Sequence, residues 1–205
     1  MRSAQGLLPA SVTAIAILFL TGCNMTSPSA TYTGTVTDPA GDALSDSRAA
    51  VSPDLVGATI NISGSSLTLT ISFAPGTLSQ SDTVWQASLD TDENPATGCP
   101  GIDSNHHDAS LLGVDYFIQG VDPQGSTEAK VFQVDASCSL TLVGTATVTF
   151  PSATQAQVTV PLSQLGGGDG RMKFQVTVAQ WVSATVQTVI LDYMPNVGLP
   201  VGVVR

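Results

Sequence analysis

Positively charged side chains and aromatic rings are both scarce in this 205-residue sequence. Lys plus Arg number 6 against 16 Asp plus Glu, a formal net charge of −10, and aromatics make up only 5%. So acidic a chain has no electrostatic hold on a phosphate backbone, which argues against nucleic acid as a partner. Glutamate is nearly missing too. Glu93 and Glu128 are the only two, and no pair of carboxylates stands out as the acid and nucleophile that glycoside hydrolysis requires. There is no Gly-x-Ser-x-Gly elbow. The run Gly166–Gly170 precedes a strand pattern rather than a helix, so it offers no helix N-terminus to a phosphate. The sequence therefore reads as that of a non-enzyme. The uncharged stretch from Leu7 to Leu20 is shorter than the roughly 20 apolar residues that span a bilayer.

That stretch follows Met1-Arg2 and ends in Leu20-Thr21-Gly22-Cys23. A positive start, an apolar run and small residues before a cut site describe an export signal. Leu-Thr-Gly-Cys resembles the bacterial lipobox, which implies cleavage before Cys23 and a lipid on its sulfur. Two or more acyl chains anchor a protein stably to a membrane. Residues 1–22 then form the signal, 23–35 the lipidated Cys and a small polar tether, and 36–205 one domain. Without the signal, 5 basic residues face 16 acidic ones over 183 residues. Asn24 is not the Asp that resembles an inner-membrane retention signal, so the outer membrane is the expected address in a diderm cell. With Cys23 lipidated, Cys99 and Cys138 remain as an even pair in an oxidising compartment. A bond between them would close a loop of about 40 residues and add roughly 3–4 kcal/mol in the chain-entropy model.

The mature chain is a series of short alternating runs. Val56, Ala58, Ile60 and Ile62 alternate with polar or small residues, as do Leu67, Leu69, Ile71 and Phe73, with Gly64-Ser65 turning between them. That is a half-buried hairpin. Trp85, Ala87 and Leu89 share a face, and so do Val114, Tyr116 and Ile118. Residues 127–134 form a further run. Leu140, Leu142, Ala146, Val148 and Phe150 all fall on even positions, and Ala156, Val158 and Val160 follow. Asp169-Gly170 reads as a hairpin turn before Met172, Phe174, Val176 and Val178. Val186–Leu191 is apolar on both faces and suits a central strand. Only Leu162–Leu165 hints at a helical turn. Eight or nine strands at this spacing predict an all-β, antiparallel, jelly-roll-like β-sandwich.

The sharpest local chemistry is Asp90, Asp92 and Asn94, at i, i+2 and i+4 after a strand ends. A curled segment brings such oxygens together, which suits calcium and its six to eight oxygen ligands. The spacing begins like an EF-hand loop, but Pro95 stands at the glycine position and Gly101 at the bidentate Glu position. Further ligands must come from elsewhere. Asp38, Asp42 and Asp54 form a second acidic group. Asp115, inside an apolar strand, either faces the Asp90 loop as a ligand or faces solvent, since alternation permits both.

The order Asp-Pro-x-Gly-Asp (38–42), Pro-Asp-Leu (53–55), Leu-x-Leu-x-Ile-x-Phe (67–73), Leu-Asp-x-Asp-x-Asn-Pro-x-Thr-Gly (89–98) and Gly-x-Asp-Tyr (113–116) resembles family 9 carbohydrate-binding modules and DOMON-like sandwiches. The closing Pro161–Gly167 and Asp192–Asn196 segments fit the same pattern, and the resemblance covers roughly residues 36–198. It implies a sandwich with bound calcium and, in some relatives, sugar or haem binding; it transfers no ligand. The sequence departs from that pattern between Gly98 and Gly113, where both histidines stand. His106 or His107, with Asp103 and Asp108, offers a transition-metal site and with it the alternative of a metal-dependent enzyme, or these are exposed loop residues. For a glycan, Trp181 with Tyr193 is the candidate stacking platform, or Trp181 covers the end of the sandwich. The expected role is a non-catalytic, calcium-stabilised binding module on the membrane, holding a glycan or contacting another envelope protein.

Overall fold

The computed structural model describes residues 31–45, 51–100, 112–120, 127–180, 189–196 and 200–205. Within them the chain is all-β and antiparallel. Eleven strands run in order: β1 (Thr31–Thr37), β2 (Leu55–Ser63), β3 (Ser66–Phe73), β4 (Thr83–Asp90), β5 (Tyr116–Gly120), β6 (Glu128–Val134), β7 (Leu140–Ser152), β8 (Gln155–Pro161), β9 (Met172–Gln180), β10 (Val189–Met194) and β11 (Gly202–Val204). A 3₁₀ turn at Leu162–Leu165 is the helical turn foreseen from the sequence. No helix among the described residues is long and apolar enough to cross a membrane.

The strands pair in the order β1-β2-β3-β8-β7-β6-β5-β4-β9-β10, with β11 also on β9. β7 joins the two layers. Its first half pairs with β6 and its second half with β8. On the other side, Thr33 and Arg205 exchange backbone hydrogen bonds, setting β11 against β1. The sheet therefore folds over on itself as a sandwich that nearly closes into a barrel. The connections from β3 to β4 and from β8 to β9 carry the chain from one layer to the other.

Alternation drives the layering. In β3 every second residue, Leu67, Leu69, Ile71 and Phe73, is buried, and β2 pairs with it through the expected Gly64-Ser65 hairpin. These side chains meet Trp85, Leu89, Ile118, Phe174 and Val176 from the opposite layer in one core. A smaller cluster of Cys99, Leu112, Val114, Phe117 and Val134 lies apart from it. Beside that cluster the Cys99–Cys138 disulfide closes, with Cα atoms 4.9 Å apart.

Four readings need correction. Residues 31–35, expected in the tether, belong to β1 and pair with β2. Leu140 and Leu142 are 54% and 55% exposed, although they share even numbering with the buried Val148. Gly144 pairs with Val131 and Leu142 with Phe132, so Val143 is an extra residue. One inserted residue reverses which face each later side chain takes. Asp169-Gly170 is not a hairpin turn, because β8 and β9 pair with different strands. Of the Val186–Leu191 run, expected as a central strand, the described part, Val189–Leu191, lies in the last strand of the pairing path. β10 starts at Val189 and ends the pairing path, and Leu191, Asp192, Tyr193 and Met194 are nonetheless buried.

Candidate metal centre

Among the described residues two groups of carboxylates converge, each with oxygens within 4.8 Å of one another: Asp90, Asp92 and Asp115, and Asp38, Asp42 and Asp192. Two oxygens bound to one calcium ion at about 2.4 Å lie at most about 4.8 Å apart, so no pair in either group is too far apart to share an ion. Along β9, Asp90 is level with Lys173 and Asp192 with Val178. Five residues of strand, about 17 Å, thus separate the two groups toward opposite ends of that layer.

The first group is built where β4 runs out. Asp90 is fully buried and accepts from the Asn94 amide at 3.1 Å and the Gly113 amide at 3.4 Å. Asp92 accepts from the same Asn94 amide at 2.9 Å and from the Thr97 hydroxyl at 2.8 Å. Asp115 faces this loop: its Oδ2 accepts from the backbone and the hydroxyl of Thr91, at 2.9 and 3.0 Å. The open question of its direction is settled by the Asp115 N–H, which bonds the Leu89 carbonyl and seats it beside the end of β4. Asn94 takes part differently from the expectation. Its side-chain oxygen accepts from Ala96 at 3.1 Å, capping its own turn, and its backbone amide is what joins the cluster.

Burial first, then the Asp92 hydrogen bond and the Asp115 charge, raises the Asp90 carboxyl to about 6, with the Gly113 amide and the Lys173 charge opposing. For Asp92 burial is the largest single effect and raises it, but the hydrogen bonds from Thr97, the Asn94 amide and Asp90 together outweigh it and hold the carboxyl below its ordinary value. An open hollow of about 300 Å³ adjoins the loop, lined by Thr91, Asp92, Glu93, Asp169 and Arg171.

In the second group, the connection from β1 to β2 delivers Asp38, at its first residue, and Asp42, and β10 delivers Asp192. The Asp192 carboxylate accepts from the Leu55 amide at 2.6 Å and the Tyr193 amide at 2.8 Å. Asn196 donates its side-chain amide to Asp42 at 2.6 Å. Asp38 is 8% exposed, and neither of its carboxylate oxygens has a hydrogen-bond partner among the described residues. Burial first, and then the charges of Asp42 and Asp54, raise it to about 6; the Asn196 amide opposes this without meeting the geometry of a hydrogen bond. Asp192 rises to about 7 by deeper burial, with Asp38 and Asp42 adding and its two amide donors opposing.

Asp54, expected as a ligand, is not part of the converging group. Its Oδ2 is taken by the Gly41 amide at 2.8 Å, where it holds the turn. Asp192 takes its place, and a signal for it existed: an Asp in an otherwise apolar strand, the same feature that singled out Asp115. Tyr193 is only 8% exposed, so it offers no stacking face to a sugar; the β9–β10 pairing buries it. Trp181, Cys23, and His106 and His107 with their loop lie outside the described residues. No protein-family model matches the chain, and no curated protein is significantly similar to it.

Proposed function

We propose that this chain is a non-catalytic binding module of a bacterial cell envelope, lipid-anchored through Cys23 and stabilised by calcium at the Asp90 loop. The observation that carries the calcium part is the convergence of Asp115 with Asp90 and Asp92 across more than 20 residues of sequence. Three carboxylates in one place cost less together when a divalent ion neutralises them. With two of the three cysteines joined as Cys99–Cys138, Cys23 alone is left over, which supports its reading as the lipidated residue. The scarcity of glutamate and of nucleophile motifs supports a binding role. The ligand class it favours is a glycan or another envelope protein.

Thermal melting tests the metal. Millimolar calcium is expected to raise Tm relative to EDTA, because extracellular modules bind calcium with Kd of about 10⁻⁴–10⁻³ M. An identical Tm in both removes calcium from the reading. Cys23→Ser tests the anchor and should release the protein from the membrane fraction; retention there would refute it.

A further inference from the structure

We propose that Asp38, Asp42 and Asp192 form a second cation site, which takes a calcium-like hard divalent ion and fastens the β1–β2 connection onto β10. The site is independent of the Asp90 loop.

The argument begins with Asp38. A carboxylate whose two oxygens are both buried without a donor has lost its water and gained nothing in exchange. Around it stand Asp42 and Asp192, with oxygens within 4.8 Å. Among the described residues, the charges that act on Asp38 and Asp192 are carboxylates, those of Asp42 and Asp54 on the one and of Asp38 and Asp42 on the other. An incoming divalent ion supplies the missing partner and cancels the repulsion in one step.

The surroundings are arranged for it. Asp192 lies beside a bulge, since Ile190 pairs with Ala179 and Asp192 with Val178, leaving Leu191 as an extra residue. β2 has a matching irregularity between Leu55 and Gly57, and the Leu55 amide is the donor to Asp192. Bulges re-aim side chains, and these two flank the contact between the layers. Leu44 donates its amide to the Leu191 carbonyl at 2.6 Å, so the connection carrying Asp42 already lies along β10.

The donor set selects the ion. It is all oxygen, with no thiolate or imidazole among the three, which favours a hard cation over a soft one. Magnesium keeps several waters and demands near-octahedral geometry, whereas calcium tolerates irregular ligation by fixed carboxylates. Buried Asp38 favours calcium.

The test is calorimetric titration of the detergent-solubilised full chain with calcium chloride after chelation, on wild type, Asp38→Asn, Asp42→Asn and Asp92→Asn. Wild type should bind two ions. Asp38→Asn and the exposed-site variant Asp42→Asn should each weaken one of them at least about tenfold, and Asp92→Asn should weaken only the other. Amide hydrogen exchange at Leu55 and Tyr193 should slow with calcium in wild type and Asp92→Asn, and not in Asp38→Asn. Asp42 is exposed, so its variant keeps the test informative if Asp38→Asn folds poorly. Titration of Asp38→Asn and Asp42→Asn like wild type overturns the proposal. A single ion abolished by Asp92→Asn alone overturns this site and leaves the Asp90 loop standing; a single ion abolished by Asp38→Asn alone does the reverse. No calcium binding at all overturns both.

Discussion

The carboxylate of Asp192 accepts the backbone N–H of Leu55 at 2.6 Å across 137 residues of sequence. This one bond ties the last long strand to the start of the second, at the side where the layers come nearest to closing.

Asp192→Ala should therefore cost more than a surface change. It strips the partner from two buried amides, those of Leu55 and Tyr193, and a hydrogen bond to a charged group contributes about 1.5–3 kcal/mol. Urea unfolding in EDTA should show a loss of at least about 2 kcal/mol. A loss below about 0.5 kcal/mol would mean that the bond carries no net stability.

The metal-free protein should be more stable at pH 5 than at pH 8. Asp38 and Asp90 are raised to about 6 and Asp192 to about 7, from an ordinary 3.8. Between about pH 4 and 7 the folded state holds protons that the unfolded chain has released. Their stabilisation is complete below the unfolded value and is lost as pH rises through the folded ones. Urea midpoints measured in EDTA across this range should fall with rising pH. Added calcium should restore stability at pH 8, where the carboxylates are charged. A midpoint that climbs from pH 5 to 8 without metal contradicts the shifts.

Breaking the disulfide should be costly but local in origin. Cys99 and Cys138 are separated by 39 residues, for which the chain-entropy model assigns about 4 kcal/mol. Cys99→Ala with Cys138→Ala should lower Tm by roughly 10 °C for a domain of this size. An unchanged Tm would show that the bond adds no stability.

The bulge at Val143 makes a contrast between two neighbours on one strand. Leu142→Thr, at an exposed position, should shift stability by no more than about 0.5 kcal/mol. Val148→Thr puts a hydroxyl into the core and should cost about 1–3 kcal/mol. Equal costs would argue that the face does not reverse between them.

Much of this architecture is legible from local pattern. Leu67, Leu69, Ile71 and Phe73 announce a half-buried strand because side chains in extended backbone alternate by geometry, and Gly64-Ser65 announces its hairpin. The cysteine pair follows from its count, and Asp90 with Asp92 from close spacing. Each of these depends on residues that are neighbours in the chain, or on composition alone.

What tertiary structure decided is of another kind. One inserted residue at Val143 put Leu142 and Val148 on opposite faces, and another at Leu191 lies beside Asp192. A register slip has no local signature, because the residues around it keep their alternation. Asp115 alternates equally well toward solvent or toward the Asp90 loop until the Leu89 carbonyl takes its amide. Asp192 joins Asp38 and Asp42 from about 150 positions away, by a path through both layers. The sequence by itself determined which residues seek burial and which carry charge. Only the fold decided which charges must share a space, since that depends on long-range pairing rather than on spacing.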